Sequence, residues 1–370
     1  MKVLHLEGLP VDTGGVLSVL RNLQEASEDL ELGLSHTVWV NSRYVETRTP
    51  ALDYRYSRWA LGEGPIDARM LACILPSFVA VRNLLKAEHF DIVHAHARGT
   101  LPVAVLVARL LRRPVVFTNH SYASHRDLYQ RAATQPRVHT VVLSRDMADH
   151  YGIHTDAPRV HVIPACCSDR YFDEPLVERR HGFSPDDPLR LAGVGMVVPW
   201  KGWSTAVEAL ALLEPAERAS VRFDHWGVET DEGYSAELRA LIAAKGVGDV
   251  VSLRGSTDRM AEVLHSSDWL LHPAVTDPYP VAVLEALTMG LPVLATSSGG
   301  PAEMVTDGLS GAHFEPYDAP GLARLLRAVL CGELPVASPA EVRESARPSA
   351  ASVVATRYAE LYRGILDPAR

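Results

Sequence analysis

Short apolar runs alternate with stretches of helical periodicity along nearly the whole chain, and they do so in two separate series. The first series reads as strands at Lys2–Leu6, Thr37–Val40, Ile92–Ala95, Val115–Thr118, Val138–Leu143 and Val160–Pro164, with helices at Val16–Ala26 and Val103–Leu111. The second reads as strands at Leu189–Val194, Val221–Trp226, Val250–Leu253, Trp269–Pro273 and Pro292–Thr296, with helices at Thr205–Leu213 and Ser235–Lys245. Runs this apolar are buried on both faces, and a parallel pair needs a crossover long enough to be a helix. Each series therefore predicts a doubly wound α/β unit with a parallel sheet, a Rossmann-like domain.

Between the two series the pattern breaks. Residues 173–188 are polar and proline-rich, and they are expected to be a linker. The domains expected are 1–172, 189–346, and a C-terminal segment, 347–370, returning to the first domain. Its amphipathic helix is read at Ser352–Leu366 from the spacing of Val353, Val354, Tyr358, Leu361, Tyr362 and Ile365. Ligands of such sheets bind beyond the carboxyl ends of the strands. Two facing units would direct both sets of ends into one cleft.

Charge narrows the partners. The net charge is −9, residues 1–175 are balanced, and the remainder carries the whole excess. Neither half is basic overall, so no nucleic-acid partner is expected. The cysteines, Cys73, Cys166, Cys167 and Cys331, form no CxxC pair. That argues against a zinc site or a disulfide framework and fits a reducing, cytoplasmic setting. The apolar stretches Leu71–Val81 and Leu101–Ala108 are shorter than the roughly 18 residues that span a bilayer. Membrane contact is thus expected only at the periphery, on the inner face.

The most informative segment runs from Asp277-Pro-Tyr-Pro-Val-Ala-Val-Leu-Glu285 through Gly290-Leu-Pro-Val-Leu-Ala-Thr296 to Gly299-Gly-Pro-Ala-Glu303. A strand ends at Pro273, a loop carries Asp277, and a helix begins near Val281. Free amides at that helix start, those of Val281 and Ala282, suit a phosphate. Glu285 lies one turn inside, within reach of ribose hydroxyls, and Asp277 is placed for hydroxyls of a sugar. An isolated acid pair would more often be a helix-entry residue and a surface carboxylate. The flanking glycine-rich strings reverse that preference.

This segment resembles the nucleotide-binding motif of the family 4 glycosyltransferases, whose fold, GT-B, has two facing Rossmann-like domains. The resemblance extends to Gly14-Gly15 after the first strand, Asp91-Ile-Val-His-Ala-His96, Phe117-Thr-Asn-His120, Val162-Ile-Pro164, Phe172 and Pro199-Trp-Lys-Gly202. It implies a retaining transfer of a sugar from a nucleoside diphosphate sugar to a hydroxyl acceptor, with no cofactor and no metal. It implies that Glu285 binds the donor ribose, that Lys201 neutralises the diphosphate, and that Gly14 and Gly15 let the first helix approach it. His120 would contact the donor sugar near the reacting carbon, Gly299 and Gly300 would leave space for that sugar, and Glu303 would support their loop. Asp277 stands where the family has a glutamate, one methylene longer. Met196 follows Gly195 where the family usually has an arginine, and Arg254 is a candidate to replace it.

Several smaller signals complete the reading. Asp12, His94, His96 and Tyr122 are candidates for the acceptor side, each with an ordinary structural alternative. His94 and His96 alternate at a strand end and so share a face; with no further ligands at suggestive spacing they are not read as a metal site. Gly193-Val-Gly195 lacks the third glycine of a dinucleotide fingerprint, which weakens an oxidoreductase reading. Two rival functions stay open: a GT-B homologue that binds a nucleotide or a partner without turnover, and a sugar-nucleotide epimerase or phosphorylase.

Overall fold

The computed structural model describes residues 1–8, 15–45, 52–64 and 66–367. Asp12 and Gly14 lie outside them. The chain divides into two compact units, Met1–Asp169 with Ser349–Arg370, and Arg170–Pro348.

The first unit contains β1 (Lys2–Leu6), α1 (Gly15–Asp29), β2 (Ser35–Asn41), β3 (Asp53–Ser57), α2 (Ala68–Ala87), β4 (Ile92–Ala95), α3 (Thr100–Leu110), β5 (Val115–Thr118), α4 (Arg126–Ala133), β6 (Val138–Val142), α5 (Arg145–Tyr151) and β7 (Val160–Val162). Its strands form one parallel sheet in the order β3-β2-β1-β4-β5-β6-β7. The order reverses between β1 and β4, and that switch point is where such a sheet opens a crevice at its carboxyl edge. Four strands, β1, β4, β5 and β6, were legible almost to the residue because they are buried on both faces.

The second unit begins with a single turn, α6 (Arg170–Asp173), and continues with β8 (Leu189–Val194), α7 (Trp203–Ala211), α8 (Pro215–Ala219), β9 (Val221–Trp226), α9 (Glu232–Lys245), β10 (Val251–Leu253), α10 (Met260–His265), β11 (Trp269–His272), α11 (Val281–Thr288), β12 (Val293–Thr296), α12 (Pro301–Met304), β13 (Gly311–Phe314), α13 (Ala319–Leu330) and α14 (Pro339–Ser345). Its parallel sheet has the order β10-β9-β8-β11-β12-β13, so the same reversal falls between β8 and β11. Trp203, Phe223, Leu210 and Leu271 are at the centre of its core. The helix ends follow local chemistry. Asp231 caps α9, which stops at Gly246 in the left-handed conformation, and Ser338 and Glu341 close a capping box on α14.

The last helix, α15 (Ala351–Leu366), packs on α1 within the first unit. The chain enters it beside Cys167, whose amide donates to Ser349 and whose carbonyl accepts from Ala351. Asp169 holds the first turn through the Ser352 amide and hydroxyl at 2.8 and 3.0 Å.

Two expectations change. Residues 173–188 are not a free linker: they are built into the second unit. The Val177 amide donates to the Met289 carbonyl at 3.1 Å, Arg179 donates to the carbonyls of Val336 and Ala337, and Arg180 pairs with buried Asp268 at 3.0 Å. Charged side chains disguised a docked segment as a solvated one. The apolar stretch at Leu71–Val81 is also longer than read, because it belongs to the 20-residue α2, which by length and composition alone is apolar enough to cross a membrane. Asp67 caps this helix through the Met70 amide at 2.7 Å, and Pro76 lies within it. Only 22% of its apolar window is buried.

Candidate functional site

At the switch point of the second sheet, the carboxyl ends of β8 and β11 hold a buried ion pair. Lys201 Nζ donates to Asp277 Oδ2 at 2.6 Å, and both side chains are buried. Lys201 ends a single turn, Pro199–Lys201, and its ammonium lies 4.7 Å from the centroid of the Trp200 ring. Gly202 turns the chain with φ +69°, and a Cβ there would stand 2.0 Å from the Pro273 carbonyl oxygen. Glycine is therefore what lets this turn press against the end of β11. Burial alone would push the Asp277 carboxyl up, but the Lys201 ammonium and the neighbouring His272 together outweigh that and hold it well below the usual carboxylate range. His272 comes within 3.3 Å of Asp277 Oδ2 in an orientation too poor for a hydrogen bond, so both its ring nitrogens are left without a partner.

Asp277 thus faces inward to the lysine, a placement its sequence position did not suggest. The arrangement makes the site anion-ready but internally neutral: a phosphate entering beside Lys201 competes with Asp277 for the ammonium. Glu285 lies in α11, half-buried. Val281 and Ala282 open that helix after Pro280, which offers no side-chain cap, so the amides there remain suited to an anion.

Gly299 and Gly300 stand against the backbone of the Asp277 loop. A Cβ on Gly299 would stand 2.5 Å from the Asp277 carbonyl oxygen, and one on Gly300 2.2 Å from that of Pro278. The Gly300 amide donates to the Asp277 carbonyl at 2.8 Å. These glycines let the loop close on the backbone of 277–278. Glu303 is exposed. Arg254 is held by Asp224 at 2.6 Å, and the Met196 carbonyl accepts from the Trp203 indole at 2.9 Å.

In the first unit the carboxyl edge carries His120, two residues beyond β5, and Tyr122, whose hydroxyl donates to Asp146. Gly15 opens α1. His94 and His96 share a face as expected, with stacked rings 4.0 Å apart, but both are buried and fully engaged. His94 Nδ1 is 2.6 Å from the Tyr362 hydroxyl, and its Nε2 is 2.7 Å from that of Thr118. His96 lies between His5 at 2.8 Å and His120 at 3.0 Å. Neither is presented to an acceptor. His5, His94 and His96 have ligand atoms within 4.8 Å of one another, close enough to suggest a metal site. All six of their ring nitrogens already face hydrogen-bond partners, so the cluster is satisfied as a polar network.

Sequence reasoning missed Glu7. It follows β1 at the switch point, is buried, and leaves Oε2 without a partner. Burial, reinforced by Glu63, pushes its carboxyl up to about 8. The only sequence signal was an acidic residue directly after an apolar strand.

Residues 177–348 match the family model described as Glycosyl transferases group 1, and residues 13–167 match Glycosyltransferase Family 4. The chain belongs to the family 4 glycosyltransferases, with the GT-B fold.

Curated relatives of this family 4 chain include a D-inositol 3-phosphate glycosyltransferase of Geodermatophilus obscurus, 27% identical over 271 residues, a match covering 65% of this chain and 60% of the relative. An alpha-D-kanosaminyltransferase of Streptomyces kanamyceticus is 25% identical over 303 residues, covering 75% of this chain and 76% of the relative. Among solved structures, Anabaena HepE in complex with UDP and glucose has a TM-score of 0.76 at 18% identity, covering 98% of this chain and 99% of HepE. The sucrose-phosphate synthase of Thermosynechococcus elongatus has a TM-score of 0.79 at 19% identity, covering 100% and 99%. At these identities the solved structures establish the fold.

Proposed function

We propose that this protein is a retaining, metal-independent glycosyltransferase that moves a hexose from a nucleoside diphosphate sugar to a hydroxyl acceptor. The observation that carries the reading is the buried Lys201–Asp277 pair at the switch point of the second sheet, with Glu285 eight residues beyond Asp277 on the helix that begins there. HepE, of the same fold, binds UDP and glucose, which supports a nucleotide-sugar donor here. In this reading the diphosphate takes the Lys201 ammonium and the free amides of Val281 and Ala282. Glu285 accepts from the ribose, and His120 meets a hydroxyl of the sugar. The leaving diphosphate gains charge as its oxygen parts from the anomeric carbon and the acceptor oxygen bonds there instead, and fixed donors stabilise that charge without reorganising. No side-chain nucleophile is invoked, and the departing phosphate itself takes the proton of the acceptor hydroxyl on the same face.

The acceptor is proposed to be met at an anionic membrane surface on the cytoplasmic side. Leu71, Leu75 and Val79 lie along one side of α2 and are 56%, 64% and 43% exposed. Beside them a cavity of about 600 Å³ is lined by Met70, Ile74 and Pro102 together with Arg126, Asp127 and Arg131 of α4, two cationic side chains against one anionic. Apolar ridge and cationic rim together fit lipid chains and anionic headgroups.

A screen of thermal stability against nucleoside diphosphates, followed by turnover of the matching sugar nucleotides with and without EDTA, tests the reading. Binding at a hundred times Kd should add about 2.7 kcal/mol of stability, and EDTA should leave the rate unchanged. Glu285→Ala and Lys201→Ala should each cut donor use at least about tenfold, the equivalent of one lost hydrogen bond or more. Wild-type rates in both variants would refute the site. One observation favours a non-catalytic homologue as second reading: the lysine charge is already compensated by Asp277, and Met196 adds no cation. Binding with no turnover on any sugar nucleotide would select it. Interconversion of sugars without an acceptor, or a requirement for inorganic phosphate, would point instead to an epimerase or a phosphorylase.

A further inference from the structure

Four imidazoles and one hydroxyl run in single file across the first sheet, from α1 to the carboxyl end of β5. Ser27 Oγ lies 3.3 Å from His36 Nε2, and His36 Nδ1 lies 2.8 Å from His5 Nε2. His5 Nδ1 lies 2.8 Å from His96 Nε2, and His96 Nδ1 lies 3.0 Å from His120 Nε2. Register builds the file: Val3 pairs with His36 and His5 with His94, which brings the histidines of β2, β1 and β4 side by side. Ser27, His36, His5 and His96 are all buried, and His120 closes the file half-buried at the sheet edge. Its Nδ1 makes no hydrogen bond to any described residue.

Every ring in the file uses Nε2 toward Ser27 and Nδ1 toward His120. A neutral imidazole has one donor and one acceptor. Joined head to tail, the rings have only two arrangements that satisfy every link: all hydrogens on Nε2, or all on Nδ1. A mixed file would set two N–H groups, or two lone pairs, against each other in a buried place where either is costly. A cationic ring would have to be desolvated among three others. Ser27 can close either arrangement, because a hydroxyl both donates and accepts.

The surroundings choose between the two. Ser27 stands in the last turn of α1, at the negative end of the helix dipole, which favours N–H groups pointing toward it. The terminal ammonium beside Gly33 acts in the opposite sense, but from an exposed position where solvent and salt screen it.

We propose that Ser27, His36, His5 and His96 are positioning residues that lock His120 as the neutral Nε2–H tautomer and present its bare Nδ1 as an acceptor for a ligand hydroxyl. The inference rests on the proposed assignment of His120 to a hydroxyl of the bound sugar. It makes His120 a contact that orients, not an acid that donates a proton. It also means that a change at His36, on the far side of the sheet, alters the chemistry at His120 without touching it.

Two-bond proton–nitrogen correlation spectra of the full chain carrying 15N-histidine read the tautomers directly. At pH 7 the four rings should all be neutral and protonated on Nε2. His36→Phe removes the acceptor that His5 Nε2–H needs, so the file should reverse or mix, and His120 should show Nδ1–H. His36→Asn places an amide oxygen where Nδ1 stood and should keep the file as it is. In turnover, His36→Phe should lower kcat/KM for the donor about tenfold, the effect of one lost hydrogen bond, while His36→Asn stays near wild type. His161→Gln alters the separate His139–His161 pair and should change neither readout. A wild-type spectrum with any of the four rings as Nδ1–H or cationic overturns the proposal, and that measurement needs no variant to fold. Equal rates for the Phe and Asn variants overturn it too. If no donor is turned over at all, the donor reading fails, while the spectra still decide the file.

Discussion

Lys201 and Asp277 are 76 residues apart in sequence and in direct contact in the fold, and this residue-scale fact has an energetic signature. Removing one member of a buried ion pair strands the other charge, at a cost of about 3–5 kcal/mol, whereas removing both is often neutral. Lys201→Met and Asp277→Asn should therefore each lower the unfolding free energy of the second unit by several kcal/mol. The double variant should recover most of it and still fail to use donor; additive losses in thermal unfolding would show that the two side chains do not interact. Glu7 gives a second signature, of known sign. Its carboxyl titrates at about 8 in the fold against 4.5 for the ordinary group, so the folded state binds the extra proton. That stability is complete below 4.5 and is lost as pH rises toward 8, on the order of 5 kcal/mol in all. Glu7→Gln should accordingly raise the melting temperature relative to wild type at pH 8.5, with the advantage shrinking toward pH 4.5. His36 and His225 act in the other direction: desolvation by burial lowers both to about 4, so stability is complete above 6.5 and drains away as pH falls toward 4. Lys201 and Glu285 were legible in the sequence because each sits in a compact motif. The inward turn of Asp277 and the histidine file were not, because both depend on strands brought together from distant parts of the chain.

At the scale of elements, the local pattern gave the strands well and the helices unevenly. β1, β4 and β5 are runs of buried residues with no competing period. α2 escaped a full reading because its exposed side carries Leu71, Leu75 and Val79, which blurs the amphipathic contrast that would mark its length. β3 carries Asp53 and Arg55 at the sheet edge, so it did not read as a strand. The exposed side of α2 predicts binding: the protein should sediment with phosphatidylglycerol vesicles at low salt and much less with phosphatidylcholine. Leu75→Glu should abolish that binding without changing the melting temperature, because the side chain is already in solvent. Concentration-dependent dimerisation that Leu75→Glu removes, with no vesicle binding, would assign the surface to a second copy instead. The glycine loop offers a matched pair of tests. Gly33 and Gly299 have almost the same φ, +68° and +69°, but a Cβ on Gly33 meets open space and one on Gly299 meets the Asp277 backbone. Gly33→Ala should cost only the left-handed strain, about 1 kcal/mol. Gly299→Ala should cost clearly more and weaken donor use as well, because relieving the clash moves Asp277, and with it Lys201.

At the scale of the molecule, the first unit is discontinuous in sequence. It takes Met1–Asp169 and then, after the whole second unit, Ser349–Arg370. Its last helix is integral to it. α15 buries Val354, Ala355, Tyr358, Ala359 and Tyr362, and the two tyrosine hydroxyls reach the interior, Tyr358 to Thr118 at 3.2 Å and Tyr362 to His94 at 2.6 Å. A chain ending at Pro348 would uncover the face of α1 that α15 packs on and leave His94 Nδ1 and Thr118 short of partners in a buried place. Removing apolar burial and orphaning polar groups act in the same direction. The second unit has its own sheet and core and loses nothing by the same cut. Hydrogen exchange on the shortened chain should therefore show loss of protection in β1, β4, β5 and α1, while β8, β9 and β11 keep theirs. Uniform loss across both sheets would mean that the units do not fold as separate cooperative bodies. Unchanged protection of β4 and β5 would mean that the tyrosines of α15 contribute little to the interior they enter. Binding of a nucleoside diphosphate distinguishes further, because Lys201, Asp277 and Glu285 all lie in the second unit. If they are the main anchors of the donor, the shortened chain should still bind the nucleotide while its turnover falls with the disordered first sheet that carries His120.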